Sequence, residues 1–364
     1  MAMQQGRRLI QRGYRVSVIA PHENEEVYDI GEFHPLNSVT RSKLNIVQRG
    51  FSSKVRRPIS KFDWLYFEHY RAAAVKVLKQ LKPDAVLCFN DWQTPVFVKK
   101  TVPTARVFLR LSNECRTNMR DISVATNSIE RIFSLSNYIR DWTAKEFDIP
   151  LDKFVSLPNG ADLDSFFPEP DHFERISNID RPLKALFISR LDPKKGPDLA
   201  LRSVAALRAE GANIEMSLVG GMWAGVNGDG DPFVEELKIL AKATGALTTG
   251  DIARPQVPPL VRQHDILLFP VRNNEPMSQV VFEAMASGLA VITCPLGGVP
   301  EACGDAAAWV KPDDLDSLTS KLRELYKDRA MLHDYKQRSL SRAKIMTWDS
   351  NTDRMEVVLK GSNP

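Results

Sequence analysis

The stretch Asp265-Ile-Leu-Leu-Phe-Pro-Val271, continued by Arg-Asn-Asn-Glu275-Pro-Met-Ser-Gln279 and Val280-Val-Phe-Glu283-Ala-Met-Ala-Ser-Gly288, decides how this 364-residue chain folds. Its first part is a short apolar run, the pattern of a strand buried on both faces of a parallel sheet. Its last part repeats at helical spacing, with Val280, Ala284 and Gly288 in one row and Val281 and Met285 beside it. A helix therefore starts just beyond the carboxyl end of a strand. Unpaired N–H groups and the positive end of the helix dipole favour an anion there. Glu275 and Glu283 bracket the junction. Carboxylates in that place suit hydroxyls better than phosphate, so the stretch reads as a seat for a ligand carrying both sugar hydroxyls and phosphate. The plainer alternative makes Glu283 a solvated helix residue and Glu275 a charge at the helix start.

The length suits two domains of ordinary size, and 43% apolar with 26% charged residues is a globular composition. No apolar run reaches the roughly 18 residues of a membrane span, and the first residues carry no secretory pattern. Cys88, Cys115, Cys294 and Cys303 show no CxxC spacing and are too few for a disulfide scaffold, so a reducing cytoplasm is expected. Six scattered histidines form no metal-type pair, and no metal is expected. A net charge of +4 does not suit a general nucleic-acid binder, and no nucleic-acid partner is expected. Residues 41–61 are locally basic, with Arg41, Lys43, Arg49, Lys54, Arg56, Arg57 and Lys61 and no acid among them. They face anionic lipid, as a peripheral contact at the inner face of the membrane, or a phosphorylated acceptor, or they form a solvated loop.

In chain order, residues 4–12 read as the end of a helix with Gly13 as its C-cap, and 14–20 as a strand. A doubly wound domain would open with a strand and a glycine-rich turn before that helix. Neither is present, so the first domain is expected to lack its first strand, in a chain begun downstream of its natural start or in a degenerate relative. Residues 21–62 read as a long loop and 63–82 as an amphipathic helix closed by Pro83. Residues 85–89 read as a buried strand, with Asn90-Asp91-Trp92 at its carboxyl end, where ligands bind in open α/β sheets. Strands at 105–111 and 132–135 and a helix at 137–147 follow. The turn-rich segment 157–168 is the expected interdomain connection. A second alternation places strands at 183–189, 214–219, 246–248, 265–271 and 290–293. Helices are expected between them and after residue 315. The expected domains are 1–165 and 166–347, with a last helix at 348–360 packing back on the first. Regular β–α alternation argues for parallel sheets covered by helices, an α/β class in both halves.

Several strands of the second half end in chemistry-bearing residues. Arg190, Lys194, Lys195 and Gly196 follow 183–189, Gly220-Gly221 follows 214–219, the Glu275 loop follows 265–271, and Gly297-Gly298 follows 290–293. Carboxyl ends share one edge of a parallel sheet, so the four loops should line one crevice. Arg190 offers a planar fork for phosphate oxygens and Lys195 a compact charge, while Gly220 lets backbone approach a ligand. No GxxxxGK[ST] loop and no GxGxxG fingerprint occurs, which argues against a P-loop ATPase and against NAD. The set describes a nucleotide-diphosphate site with hydroxyl-binding carboxylates beside it.

Ser189-Arg190-Leu-Asp-Pro-Lys-Lys195-Gly196, the Glu275/Glu283 pair with seven residues between, Glu283-Ala-Met-Ala-Ser-Gly288 and Gly297-Gly-Val-Pro-Glu301 resemble the donor half of retaining GT-B glycosyltransferases. The group they are most similar to is family 4, the glycogen-synthase-like glycosyl transferases group 1. Pro158-Asn-Gly-Ala-Asp162 with Phe167-Pro168 resembles that family's interdomain segment, and the likeness runs over roughly 157–348. The resemblance implies GT-B architecture, two Rossmann-like domains with a cleft between them. It implies a hexosyltransferase that works in that cleft, retaining the anomeric configuration, on a UDP- or GDP-sugar. The acceptor would be a hydroxyl of a glycan, a lipid-linked sugar or a small molecule, and no cofactor or metal would be required. Arg190 and Lys195 would hold the diphosphate, Glu283 the ribose hydroxyls and Glu275 the donor hexose. The segment from Pro276 to Gln279 would offer the backbone N–H groups of Met277, Ser278 and Gln279 to hexose and phosphate, Gly220 would lie close to the ligand, and Asp251 and Ile252 would border the base. Asp91 would orient acceptor or hexose, or else cap the following helix. Arg190, Lys195, Glu275 and Asp91 are thus the catalytic candidates, with Glu275 no nucleophile, since cations and a helix start would take up the charge of the leaving phosphate. Two departures stand out: Met277-Ser278 where the family usually has Phe-Gly, and Asn90-Asp91 near where it usually has a histidine. Two other functions stay open. One is a nucleotide-sugar-binding subunit without catalysis, which turnover by the purified chain would exclude; the other is a GT-B epimerase acting on the donor alone.

Overall fold

The computed structural model describes residues 2–21, 31–36, 73–117, 119, 122–221 and 231–361; the basic segment 41–61 lies outside them. The chain divides into two compact units, Met1–Ser134 with Asp141–Val155 and Thr352–Pro364, and Leu135–Arg140 with Ser156–Asn351.

The first unit begins with the helix Ala2–Gln11, followed by β1 (Ser17–Pro21) paired in parallel with β2 (Glu32–Leu36). β2 corrects the expectation of a loop throughout 21–62. Pro35 makes that run read as a turn, yet among the described residues β2 pairs with β1 alone and has no second ladder for a missing N–H to break. The rest of 21–62 is not described. A second sheet follows in the order β3 (Ala85–Phe89), β4 (Arg106–Leu111), β5 (Arg131–Ser134), β6 (Phe154–Ser156). β4 carries its core, since Val107, Phe108, Leu109 and Leu111 are buried. The expected burial of β3 does not hold: Phe89 is 39% exposed and only Cys88 is buried, because β3 is the outer strand of this sheet among the described residues. Within the same unit, Arg12 pairs with Asp353 (2.7 Å) and Glu356 (2.9 Å) of the last helix, Trp348–Leu359.

The second unit holds one six-stranded sheet of parallel pairs. Its strands are β7 (Leu183–Ile188), β8 (Ile214–Val219), β9 (Leu247–Gly250), β10 (Ile266–Phe269), β11 (Ala290–Thr293) and β12 (Ala307–Trp309). They stand in the order β12-β11-β10-β7-β8-β9. This is the doubly wound nucleotide-binding order, and its direction of winding reverses between β7 and β10. β10 is buried along its whole length, as an apolar run between two helical layers must be. The covering helices have chemical starts. Asp231 accepts the Phe233 N–H (3.0 Å) with Pro232 behind it, Asp314 accepts Ser317 N–H (2.8 Å), and Asp328 accepts Met331 N–H (2.9 Å). Among the described residues no helix is long and apolar enough to cross a membrane, and all four cysteines are free.

Just before β10, Asp265 is fully buried. It accepts from Arg175 (3.1 Å), Arg181 (2.8 Å) and the Lys184 N–H (3.0 Å), with the Lys336 ammonium 3.9 Å away. Burial alone would push this carboxyl up; Lys336, the Lys184 N–H, Arg181 and Arg175 together hold it below the usual carboxylate range. Asp265→Asn should therefore lower unfolding stability by about 3 kcal/mol, as loss of one partner from a buried ion pair does. A folded value below the unfolded one gives stability that is present above the unfolded value and lost as pH falls through the folded one. Urea titrations should accordingly show the gap between wild type and variant at neutral pH and its closure in acid. An equal gap at every pH contradicts this account.

Candidate functional site

The loops leaving the carboxyl ends of the second unit's strands are tied to one another through their backbones. Leu191 N–H donates to Gly221 O (2.9 Å), Gly220 N–H to Gly250 O (3.0 Å), Arg272 N–H to Lys194 O (2.9 Å) and Gly298 N–H to Glu275 O (2.8 Å). Two glycines make this approach possible. A Cβ on Gly220, at φ +135°, would collide with the Ser189 carbonyl, and one on Gly297, at φ +63°, with the Glu275 backbone.

A pocket of about 180 Å³ opens at this edge. Ile188, Val219, Ile252 and Val280 supply apolar wall, while Arg190, Asp251, Arg254 and Glu283 bring charge to it. Arg190 and Glu283, from β7's loop and from the helix after β10, thus line one cavity together with Gly220 and Ile252. Arg190 is exposed, and its guanidinium pairs with no carboxylate among the described residues. Asp251 accepts the Gly221 N–H at 2.7 Å.

Glu283 is 3% exposed, so it is not the solvated helix residue of the plainer alternative. It pairs with Arg254, whose guanidinium also lies 5.3 Å from the centre of the Phe166 ring. Burial pushes the Glu283 carboxyl up from its ordinary value; the bond and charge of Arg254 oppose that, and Asp162 adds to it. Glu275 pairs with Lys195, both side chains being mostly buried, and the Lys195 ammonium stands 5.6 Å from the Phe269 ring centre. Glu275 is therefore the partner of a cation from another loop and not a lone charge at the helix start. Met277 is buried, Ser278 stands at the start of the helix Gln279–Ala286 without capping it through its side chain, and Gln279 donates to Gly160 O at 2.9 Å. Pro276 is half-buried beside them.

Asp91 belongs to the first unit. Its carboxylate accepts the Gln93 N–H (3.0 Å) and the Thr94 hydroxyl, which anchors the start of the helix Gln93–Thr101. Glu301, at the end of the Gly297-Gly-Val-Pro motif, accepts the N–H groups of Asn137 (2.7 Å) and Tyr138 (3.0 Å), so its role here is to cap a helix.

Sequence reasoning missed Arg254, Arg272 and Asp198. Arg272 grips Asp198 with two hydrogen bonds (2.7 and 2.6 Å), donates to Pro193 O (2.8 Å) and reaches Asp313. It joins the loop bearing Lys195 to the loop bearing Glu275. An arginine directly after a buried strand was the available signal. Arg254 gave none, since it opens a proline-marked turn that reads as scaffold.

Such a sheet, with cations and carboxylates gathered where its winding reverses, defines a doubly wound α/β unit. Residues 169–342 match the family model described as "Glycosyl transferases group 1", and residues 1–165 match "Glycosyltransferase Family 4". The chain belongs to the group 1 glycosyltransferases, and its fold is that of the GT-B enzymes. Among relatives, it is 29% identical over 229 residues to a GDP-mannose-dependent alpha-(1-6)-phosphatidylinositol monomannoside mannosyltransferase of Mycolicibacterium smegmatis, covering 58% of this chain and 56% of that one. It is 28% identical over 344 residues to a D-inositol 3-phosphate glycosyltransferase of a Nocardioides species, covering 86% of this chain and 72% of the other. The curated relatives it matches are spanned over 49% to 72% of their own lengths. A structure of Anabaena Alr3699/HepE in complex with UDP and glucose is similar in fold, with a TM-score of 0.72 at 14% identity, over 99% of this chain and 96% of that one.

Arg272→Ala leaves the buried Asp198 carboxylate without the guanidinium that holds it. Chemical denaturation should show about 3 kcal/mol less stability; a change under about 0.5 kcal/mol, the size of an ordinary surface substitution, contradicts the clamp.

Proposed function

We propose that this chain transfers a hexosyl unit from a UDP- or GDP-linked sugar to a hydroxyl acceptor with retained configuration. The observation that carries the reading is the joining of the Lys195 and Glu275 loops beside a pocket lined by Arg190 and Glu283. Arg190 presents two parallel N–H groups to the diphosphate and Lys195 a compact charge, so both stabilise the negative charge that grows as the sugar–phosphate bond breaks. The loop into the helix Gln279–Ala286 adds the backbone N–H groups of Met277, Ser278 and Gln279. Glu283 accepts ribose hydroxyls and Glu275 hexose hydroxyls, sharing Lys195 with the phosphate. The acceptor oxygen bonds to the anomeric carbon, the nucleoside diphosphate leaves with the bonding pair, and a phosphate oxygen takes the acceptor's proton. Asp91 ranks last among the catalytic candidates, because both its oxygens already accept hydrogen bonds from its own helix start.

The names of the two relatives support an acceptor hydroxyl on a phosphorylated or lipid-linked sugar-like ring. The acid-free basic run at 41–61 supports peripheral contact with an anionic membrane at its cytoplasmic face. A thermal-shift panel of UDP- and GDP-hexoses tests the donor. A ligand at about 100 times its Kd adds about 2.7 kcal/mol to folded-state stability, so one nucleotide sugar should raise the unfolding temperature measurably. Lys195→Ala and Glu283→Ala should each cut transfer at least about 100-fold with the fold retained. Full activity in both variants overturns the reading.

A further inference from the structure

We propose that Arg254 is a positioning residue for the donor nucleotide: it fixes the Glu283 carboxylate at the pocket wall as a double acceptor for vicinal ribose hydroxyls. The inference rests on the nucleotide-sugar reading of the same pocket. Arg254 opens the tight turn Arg254–Gln256, where Pro255 restricts the backbone, and its guanidinium reaches over Phe166 to Glu283. The two partners are unequal: the arginine side chain is 62% exposed and that of Glu283 only 4%. Arg254 bonds one carboxylate oxygen, Oε1, and the other makes no hydrogen bond among the described residues.

The groups facing Glu283 are few. Asp162 disfavours its charge, as burial does, while Arg190 and Asp251 stand on the pocket wall; Arg254 is the one cation paired with it among the described residues. An ionised carboxylate accepts two hydroxyls at once, whereas a protonated one presents a donor and loses an acceptor. Without Arg254, the paired cation that chiefly opposes burial is gone, and Glu283 takes up a proton at higher pH. The guanidinium thus acts on the nucleotide through Glu283.

Calorimetric binding of UDP and GDP, and of their 2′,3′-dideoxy counterparts, to wild type, R254M and R254K from about pH 8 to about pH 5.5 tests this. In R254M the ribonucleotides should bind about tenfold more weakly at neutral pH, the loss expected of a charged hydrogen bond. That loss should grow as pH falls. R254K, which keeps the cation, should recover most of the affinity and the flatter profile. The dideoxy nucleotides should bind wild type and R254M alike. Unchanged ribonucleotide affinity and pH profile in R254M overturn the proposal. So does an equal loss for dideoxy nucleotides, which would put Arg254 on phosphate or base. A wild-type chain that binds neither UDP nor GDP overturns the donor reading itself, and this inference with it.

Discussion

Strands β7 and β10 lie side by side and run the same way, yet the chain leaves them toward opposite ends of the sheet. That reversal opens a crevice between their exit loops which no crossover helix can fill. The placement of the charged groups at this edge follows from it. Arg190 and Lys195 ride on β7's exit, Glu275 and Glu283 on β10's, and Arg272 bolts the two exits together through Asp198 and the Pro193 carbonyl. A side chain such as Lys195, itself flexible, is thereby held against Glu275 and the face of Phe269.

The ion pairs of this unit differ in kind because their burial differs. Surface pairs such as Arg323–Glu210 are screened by water and decide little. Asp265, ringed by Arg175, Arg181 and Lys336 before β10, is a scaffold charge whose loss would leave cations uncompensated in the interior. Arg254–Glu283 falls between these cases. Its exposed arginine contributes little to folding, but it opposes the effect of burial on a carboxylate that water hardly reaches. A pair built that way is poor scaffold and good site chemistry, and this contrast separates the two ends of the sheet.

The second unit is legible in the sequence wherever burial on both faces leaves an uninterrupted apolar run. β8 and β11 fall on the predicted ranges, and β10 within its own. β12 escapes because Ala-Ala-Trp carries no β-branched residue and gets its strand backbone from pairing with β11. β2 escapes through Pro35, and β3 reads as buried although its outer position leaves Phe89 exposed. Of the residues that line the pocket, Arg190, Gly220 and Glu283 were legible because each follows a recognisable strand or sits one turn into a recognisable helix, and Ile252 through the family resemblance. Arg254 and Asp198 were not, since their significance lies in partners distant along the chain, Glu283 and Arg272, and periodicity records no such pairing. Glu301 was found as part of a motif, but its capping of the helix at Asn137 is visible only in three dimensions.

The central claim is that one edge of the six-stranded sheet receives a nucleoside diphosphate. Hydrogen–deuterium exchange with and without saturating UDP or GDP tests it most directly. The account predicts slowed exchange in the backbone segments 189–196, 219–221, 250–254 and 272–283, with β12 and the helices packed on it unchanged. Protection confined to the first unit, or spread evenly over both, would contradict it.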